Sequence, residues 1–173
     1  MKKVIVIGCP GSGKSTFSKA LHKATGIPLF HLDRMYWNAD KTTVEKTIFL
    51  ERLSRVLCQN EWIIDGNYAS TMALRMEACD TVVFLDYPTE VCLEGVEMRK
   101  GKPRSDMPWT EPDDADEDFV RFIKNYREQN RPQVLELLQK HADKHILICR
   151  DRADEKAILA QFQQGNGKDV QEE

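Results

Sequence analysis

Near the amino terminus the residues Gly8-Cys9-Pro10-Gly11-Ser12-Gly13-Lys14-Ser15 fit the spacing G-x-x-x-x-G-K-[ST]. The chemistry served by this spacing is the handling of phosphate. Glycines let the backbone close around an anion, and successive N–H groups at a helix start stabilise its charge. The stretch from Gly8 and Pro10 through Gly11, Ser12, Gly13 and Lys14 to Ser15 and Thr16 is therefore the expected phosphate cradle. Lys14 should reach the β- and γ-phosphates, and the Ser15 hydroxyl should ligate Mg2+. A guanine reader would add Asn-Lys-x-Asp after a later strand. The chain has none, Asn38-Ala39-Asp40-Lys41 being in the wrong order, so a GTPase is not expected.

Arg99, Lys100, Lys102 and Arg104 place four cations within six residues, in a segment with Gly101 and Pro103. Phosphoryl transfer is catalysed mainly by positioning and electrostatics, so a basic lid closing over the γ-phosphate is chemically useful. The competing reading is a solvated charged loop. Arg127 and Arg131, four apart, share a face of the following helical stretch and can contribute from its side. Arg75 either reaches an acceptor phosphate or lies on the surface. The Tyr36-Trp37 pair either stacks on a flat acceptor or joins the core. Glu111 to Asp118 holds six acids, which suit a helix start.

Short apolar runs and helical periodicity supply the elements that must position these groups. Val4–Ile7 reads as a strand buried on both faces, and it leads through the glycine loop into a helix from Lys14 to Thr25, closed by Gly26. Leu29–Leu32, Trp62–Ile64, Thr81–Leu85 and Ile146–Cys149 read as four more strands, with Asp33, Tyr36 and Trp37 in a loop. Thr42-x-x-Glu45 matches a capping box opening a further helix. Thr89–Arg99 is expected to be helical. A long helical stretch from about Asp116 to His141 should kink or break at Pro132. Strands alternating with helices predict a doubly wound α/β sheet, with ligands at the carboxyl ends of the strands. One domain is expected over 1–162, with the lid at about 99–115 inserted between strands four and five, and a disordered tail over 163–173.

Leu32-Asp33 with Trp37, Ile64-Asp65-Gly66-Asn67-Tyr68, Phe84-Leu85-Asp86-Tyr87-Pro88 and Arg99-Lys-Gly-Lys-Pro-Arg104-Ser-Asp106 resemble, together with the glycine loop, the adenylate kinase-like P-loop kinase superfamily. More closely, they resemble its adenylate kinase-related members described as DNA topology modulation proteins, over roughly residues 1 to 150. The resemblance implies a P-loop NTPase sheet of five mainly parallel strands in the order 2-3-1-4-5. It implies that Asp65 helps to place Mg2+, the plain alternative being a turn residue. It implies that Asp33 binds an acceptor hydroxyl or takes its proton, the alternative being a solvated loop aspartate. Arg150 and Arg152 would belong to a loop packing on adenine, or be simply exposed. In such kinases Asp-Gly is followed by Phe-Pro-Arg; here Asn67 and Tyr68 stand instead, which argues against AMP and leaves both as substrate-binding candidates.

The 173 residues carry 25 bases against 28 acids, a net charge of −3 with a pI near 5.9, so no global basic field draws the chain to nucleic acid. Five cysteines with no Cys-x-x-Cys pair argue against zinc and against a disulfide framework. No secretory signal and no membrane-length apolar run are evident, so a cytoplasmic protein is expected. The expected function is an ATP- and Mg2+-dependent phosphotransferase whose partners are a nucleotide and an unidentified small acceptor. The alternative is a nucleotide-binding regulatory protein without one, related to DNA topology as the resemblance implies.

Overall fold

The β-branched run at the amino terminus forms β1 (Lys3–Gly8), whose interior Val4 to Ile7 is wholly buried. In the computed structural model, which describes residues 1–109 and 116–165, β1 is the middle strand of a five-stranded parallel sheet. The other strands are β2 (Leu29–His31), β3 (Trp62–Asp65), β4 (Thr81–Leu85) and β5 (His145–Cys149), in the order β2-β3-β1-β4-β5. β1 pairs with β3 from Lys3↔Trp62 to Val6↔Asp65 and with β4 from Val4↔Thr81 to Gly8↔Leu85. The glycine loop and the turn after β3 therefore emerge side by side.

Alternate β1 residues feed two cores. Val4 and Val6 pack with Phe17 and Leu21 of α1 (Lys14–Thr25), with Cys92 and Val96 of α5 (Thr89–Glu97), and with Ile123 of α6 (Glu117–Gln129). Ile158 of α8 (Arg152–Gly165) joins this layer. Ile5 and Ile7 pack with Phe49 and Leu53 of α3 (Lys46–Leu57), with Met72 and Met76 of α4 (Ala69–Ala78), and with Leu138 of α7 (Arg131–Lys140). Each fully buried Leu or Phe in these layers contributes roughly 1.5–3 kcal/mol. Among the described residues no helix is long and apolar enough to cross a membrane.

Several expected boundaries shift. Leu32 is not a strand residue. It opens a five-residue helix, α2 (Leu32–Tyr36), which carries Asp33 where a loop is expected. The capping box does not form: α3 starts at Lys46, while Thr42 bonds Asp40 and Asn38 in a turn and Thr43 bridges Trp37. α5 ends at Glu97, two residues before Arg99. The break before Pro132 falls at Asn130, and the proline sits in the first turn of α7, where its missing N–H costs least. α8 runs to Gly165. The acids Glu111, Asp113 and Asp114, the end of the lid segment and residues 166–173 lie outside the described residues.

Candidate functional site

The glycine loop folds as its composition requires. Gly11 has φ 82°, and a Cβ there would lie 1.9 Å from the Cys92 carbonyl oxygen; a Cβ on Gly95 would lie 2.1 Å from the Gly11 oxygen. Loop and α5 thus meet backbone to backbone, which only glycine at both positions permits. Asn67 braces the other flank: its Nδ2 donates to the Gly8 carbonyl at 2.7 Å, and its Oδ1 accepts from the Gly8 N–H at 3.1 Å. Lys14 curls over the loop, its Nζ donating to the Gly8 and Cys9 carbonyls at 2.9 and 3.1 Å. Burial lowers its pKa, partly offset by the carboxylates of Asp33 and Asp65.

These groups open onto a cleft of about 880 Å³. Its floor is the loop from Pro10 to Thr16. Asp33, Trp37, Asp65 and Gly66 to Tyr68 line one end, and Val96, Arg99, Lys100 and Phe119 the other, under the segment Pro103 to Trp109. Cavities of this order accept organic ligands. Asp33 is held by Tyr68, whose hydroxyl donates to Oδ1 at 2.7 Å; its Oδ2 has no partner among the described residues. Burial raises its pKa above the ordinary aspartate value, against the lowering influence of Tyr68, Lys14 and Arg104. Tyr68 itself is the N-cap of α4 with a left-handed φ of 33°.

Asp65 ends β3 next to His31, which ends β2. The His31 Nδ1–H donates to Asp65 Oδ1 at 2.8 Å, leaving Oδ2 buried without a hydrogen bond among the described residues. The Ser15 hydroxyl donates to Asp106 Oδ2 at 2.6 Å, and Arg104 grips both oxygens of the same carboxylate. Burial pushes the Asp106 carboxyl up, but the bonds from Arg104 and Ser15 outweigh it and hold the pKa well below its usual value. Asp106 belongs to the site although only its place beside Arg104 in the sequence hinted at it.

Other candidates lie elsewhere. Arg75 is neither exposed nor in the cleft. It is fully buried, and its guanidinium donates to the carbonyls of Gly66, Asn67 and Tyr68 and to Thr71 Oγ1. Burial pulls its pKa down to about 10. It shapes the turn after β3, spending four of its five donors there, and does not line the cleft. Arg131 forms a bidentate pair with Asp86 at 2.7 and 2.6 Å, and Arg127 donates to the Tyr87 carbonyl at 3.3 Å; neither lines the cleft. Arg150 is exposed and away from it. Arg152 instead lies over the Tyr87 ring, 4.8 Å from its centroid, and against Gly13, where a Cβ would meet Nη1 at 3.0 Å. Arg99 lines the cleft with its guanidinium 5.7 Å from the Phe119 ring centroid.

The donors present suit a triphosphate and a hard cation. The loop offers backbone amides and Lys14; Ser15 and the unsatisfied oxygen of Asp65 are oxygen ligands of the kind Mg2+ takes. Among the described residues no group of three or more His, Cys, Asp and Glu side chains converges. A cation here would draw most of its shell from water and phosphate, as Mg2+ commonly does.

No protein-family model matches the chain, and no curated protein sequence matches it. Among solved structures, shikimate kinase from Acinetobacter baumannii, in complex with shikimate, is similar over 99% of this chain and 96% of its own, with a TM-score of 0.63 and 16% identity. That likeness is one of fold, and it agrees with the strand order above: the chain has the architecture of a P-loop NTPase.

Proposed function

We propose that this chain is an ATP- and Mg2+-dependent phosphotransferase acting on the hydroxyl group of a small molecule. The carrying observation is the meeting in one cleft of the glycine loop with Lys14 and of Asp33, a half-buried carboxylate with one oxygen uncommitted. The name of the structural neighbour, a kinase acting on a small metabolite, supports the same class. When bound, Mg-ATP supplies the transferable phosphoryl group and the cation's neutralising charge. The amides of Gly11 to Ser15 and the Lys14 ammonium hold the phosphates. Ser15 and Asp65 would hold the cation, Ser15 through the hydroxyl that here donates to Asp106. Arg99 and Arg104, on the segment above, neutralise charge on the transferring group, Arg104 trading Asp106 for phosphate oxygens.

Asp33 takes the acceptor's hydroxyl proton while the acceptor oxygen bonds to the γ-phosphorus. The bond from that phosphorus to the bridging oxygen breaks, and ADP departs with the electron pair. Its raised pKa brings the carboxylate closer to working pH, where a general base is most effective. The test is ADP release from Mg-ATP with and without hydroxylated acceptors. Stimulation that disappears in Lys14→Ala supports the reading. ATP binding without stimulation by any acceptor, together with a salt-dependent DNA mobility shift, would favour a regulatory DNA-associated protein.

A further inference from the structure

The identity of the acceptor is constrained by charges at the end of the cleft where it must sit. Resting on the phosphotransfer reading, we propose that the acceptor is an uncharged hydroxylated ring, as in nucleosides, sugars and cyclitols, and not a phosphorylated or carboxylated molecule. Strand order separates the two ends. Residues following β2 and β3, on one side of β1, supply Asp33, Trp37, Asp65 and Tyr68; residues following β4 supply Arg99 and Lys100. The first group is acidic and aromatic, the second basic.

The guanidinium groups near the acidic end each have a partner within the protein. Arg75 is spent on the carbonyls of Gly66, Asn67 and Tyr68. Arg34 donates to the Ser105 carbonyl at 2.9 Å, and Arg104 is matched by Asp106. An anionic acceptor would meet the carboxylates of Asp33 and Asp65, while the cations nearest to them, Lys14 and Arg104, are taken by the phosphates of ATP in this reading; that arrangement suppresses wrong partners. Asp33 Oδ2 has the opposite preference, since an ionised carboxylate only accepts and a hydroxyl only needs to donate to it.

The walls agree with the charge. Trp37 and Trp109 meet edge to face, 5.1 Å between centroids at 88°, with Tyr36 packed behind on Trp37 at 5.2 Å and on Tyr68 at 4.9 Å. Trp109 arrives from the segment over the cleft, so this aromatic corner is completed when that segment lies as it does here. Aromatic surface beside the free oxygen of Asp33 suits a ring with an apolar face and hydroxyl-bearing edges.

The test pairs uncharged and charged rings in the ADP-release assay on the intact protein: adenosine against AMP, ribose against ribose phosphate, inositol against inositol phosphate, with shikimate as the carboxylated ring. We expect an uncharged member to exceed its charged partner by roughly a hundredfold in kcat/KM. The nucleoside and sugar arms then tell which scaffold carries the hydroxyl. A charged member better than its neutral partner overturns the inference and leaves phosphotransfer standing. No stimulation by any member, with ATP binding intact in wild type and lost in Lys14→Ala, overturns the phosphotransfer reading and the inference with it. Acceptor binding without ATP, read from tryptophan fluorescence, should follow the same order and weaken in Trp109→Ala; equal binding of both charge classes would also overturn it.

Discussion

The two ends of the cleft are built on different principles. The phosphate end is one continuous strand-loop-helix unit whose key atoms are backbone amides and a single lysine, packed so closely on α5 that two glycines face each other. The acceptor end is assembled from α2, the turn after β3 and the segment over the cleft, and its key atoms are side chains: Asp33, Tyr68, Trp37 and Trp109. Backbone recognition serves a ligand part that is always the same, whereas side chains from separate segments can be exchanged to suit different acceptors.

Four substitutions sharpen or break that contrast. Lys14→Ala removes the cation of the glycine loop itself and should lower turnover about 10³-fold while leaving the thermal midpoint near wild type; an active variant would dissolve the division. Asp33→Asn should lower transfer about 10²-fold with ATP affinity unchanged. Its stability effect runs the other way. The folded-state pKa of Asp33 is raised, so its contribution to stability is fully present below the ordinary aspartate pKa and is lost as pH rises through the folded value. At neutral pH the asparagine variant should therefore melt no lower than wild type, and the acid limb of the wild-type rate profile should lie above the ordinary aspartate range.

Arg75→Met tests the opposite role. Three carbonyls lose a buried donor, so unfolding free energy should fall by about 2 kcal/mol in denaturant titrations. The preference between charged and uncharged acceptors should not change; a selective rise in KM for anionic ones would return Arg75 to the acceptor. Asp106→Asn should cost about 1 kcal/mol at neutral pH. The folded pKa of Asp106 is lowered, so that stability is present above the unfolded carboxylate value and lost as pH falls toward the folded one. Melts in strong acid should show the two proteins converging.

How much of this was legible in the sequence follows from the same contrast. The glycine loop and the alternation of strands and helices are local patterns, and the parallel sheet follows from them. α2 escaped because five residues are too few to show a helical period. The capping box misled because Thr42 had a nearer partner in Asp40, 2.6 Å from its hydroxyl. Arg75 carried an overlooked signal: it stands at helical spacing with the buried Thr71, Met72 and Met76, on the inner face of α4. The Ser15–Asp106 bond spans 91 positions and no pattern in the chain announces it.

The central claim is that one cleft moves a phosphoryl group from ATP to a hydroxyl. Phosphorus NMR of the wild-type protein with Mg-ATP and the uncharged acceptors tests it most directly. Transfer to a hydroxyl predicts ADP and a new phosphomonoester signal growing in equal amounts, and neither with Lys14→Ala. ADP accompanied only by inorganic phosphate, or a phosphomonoester still formed by Lys14→Ala at the wild-type rate, would contradict it.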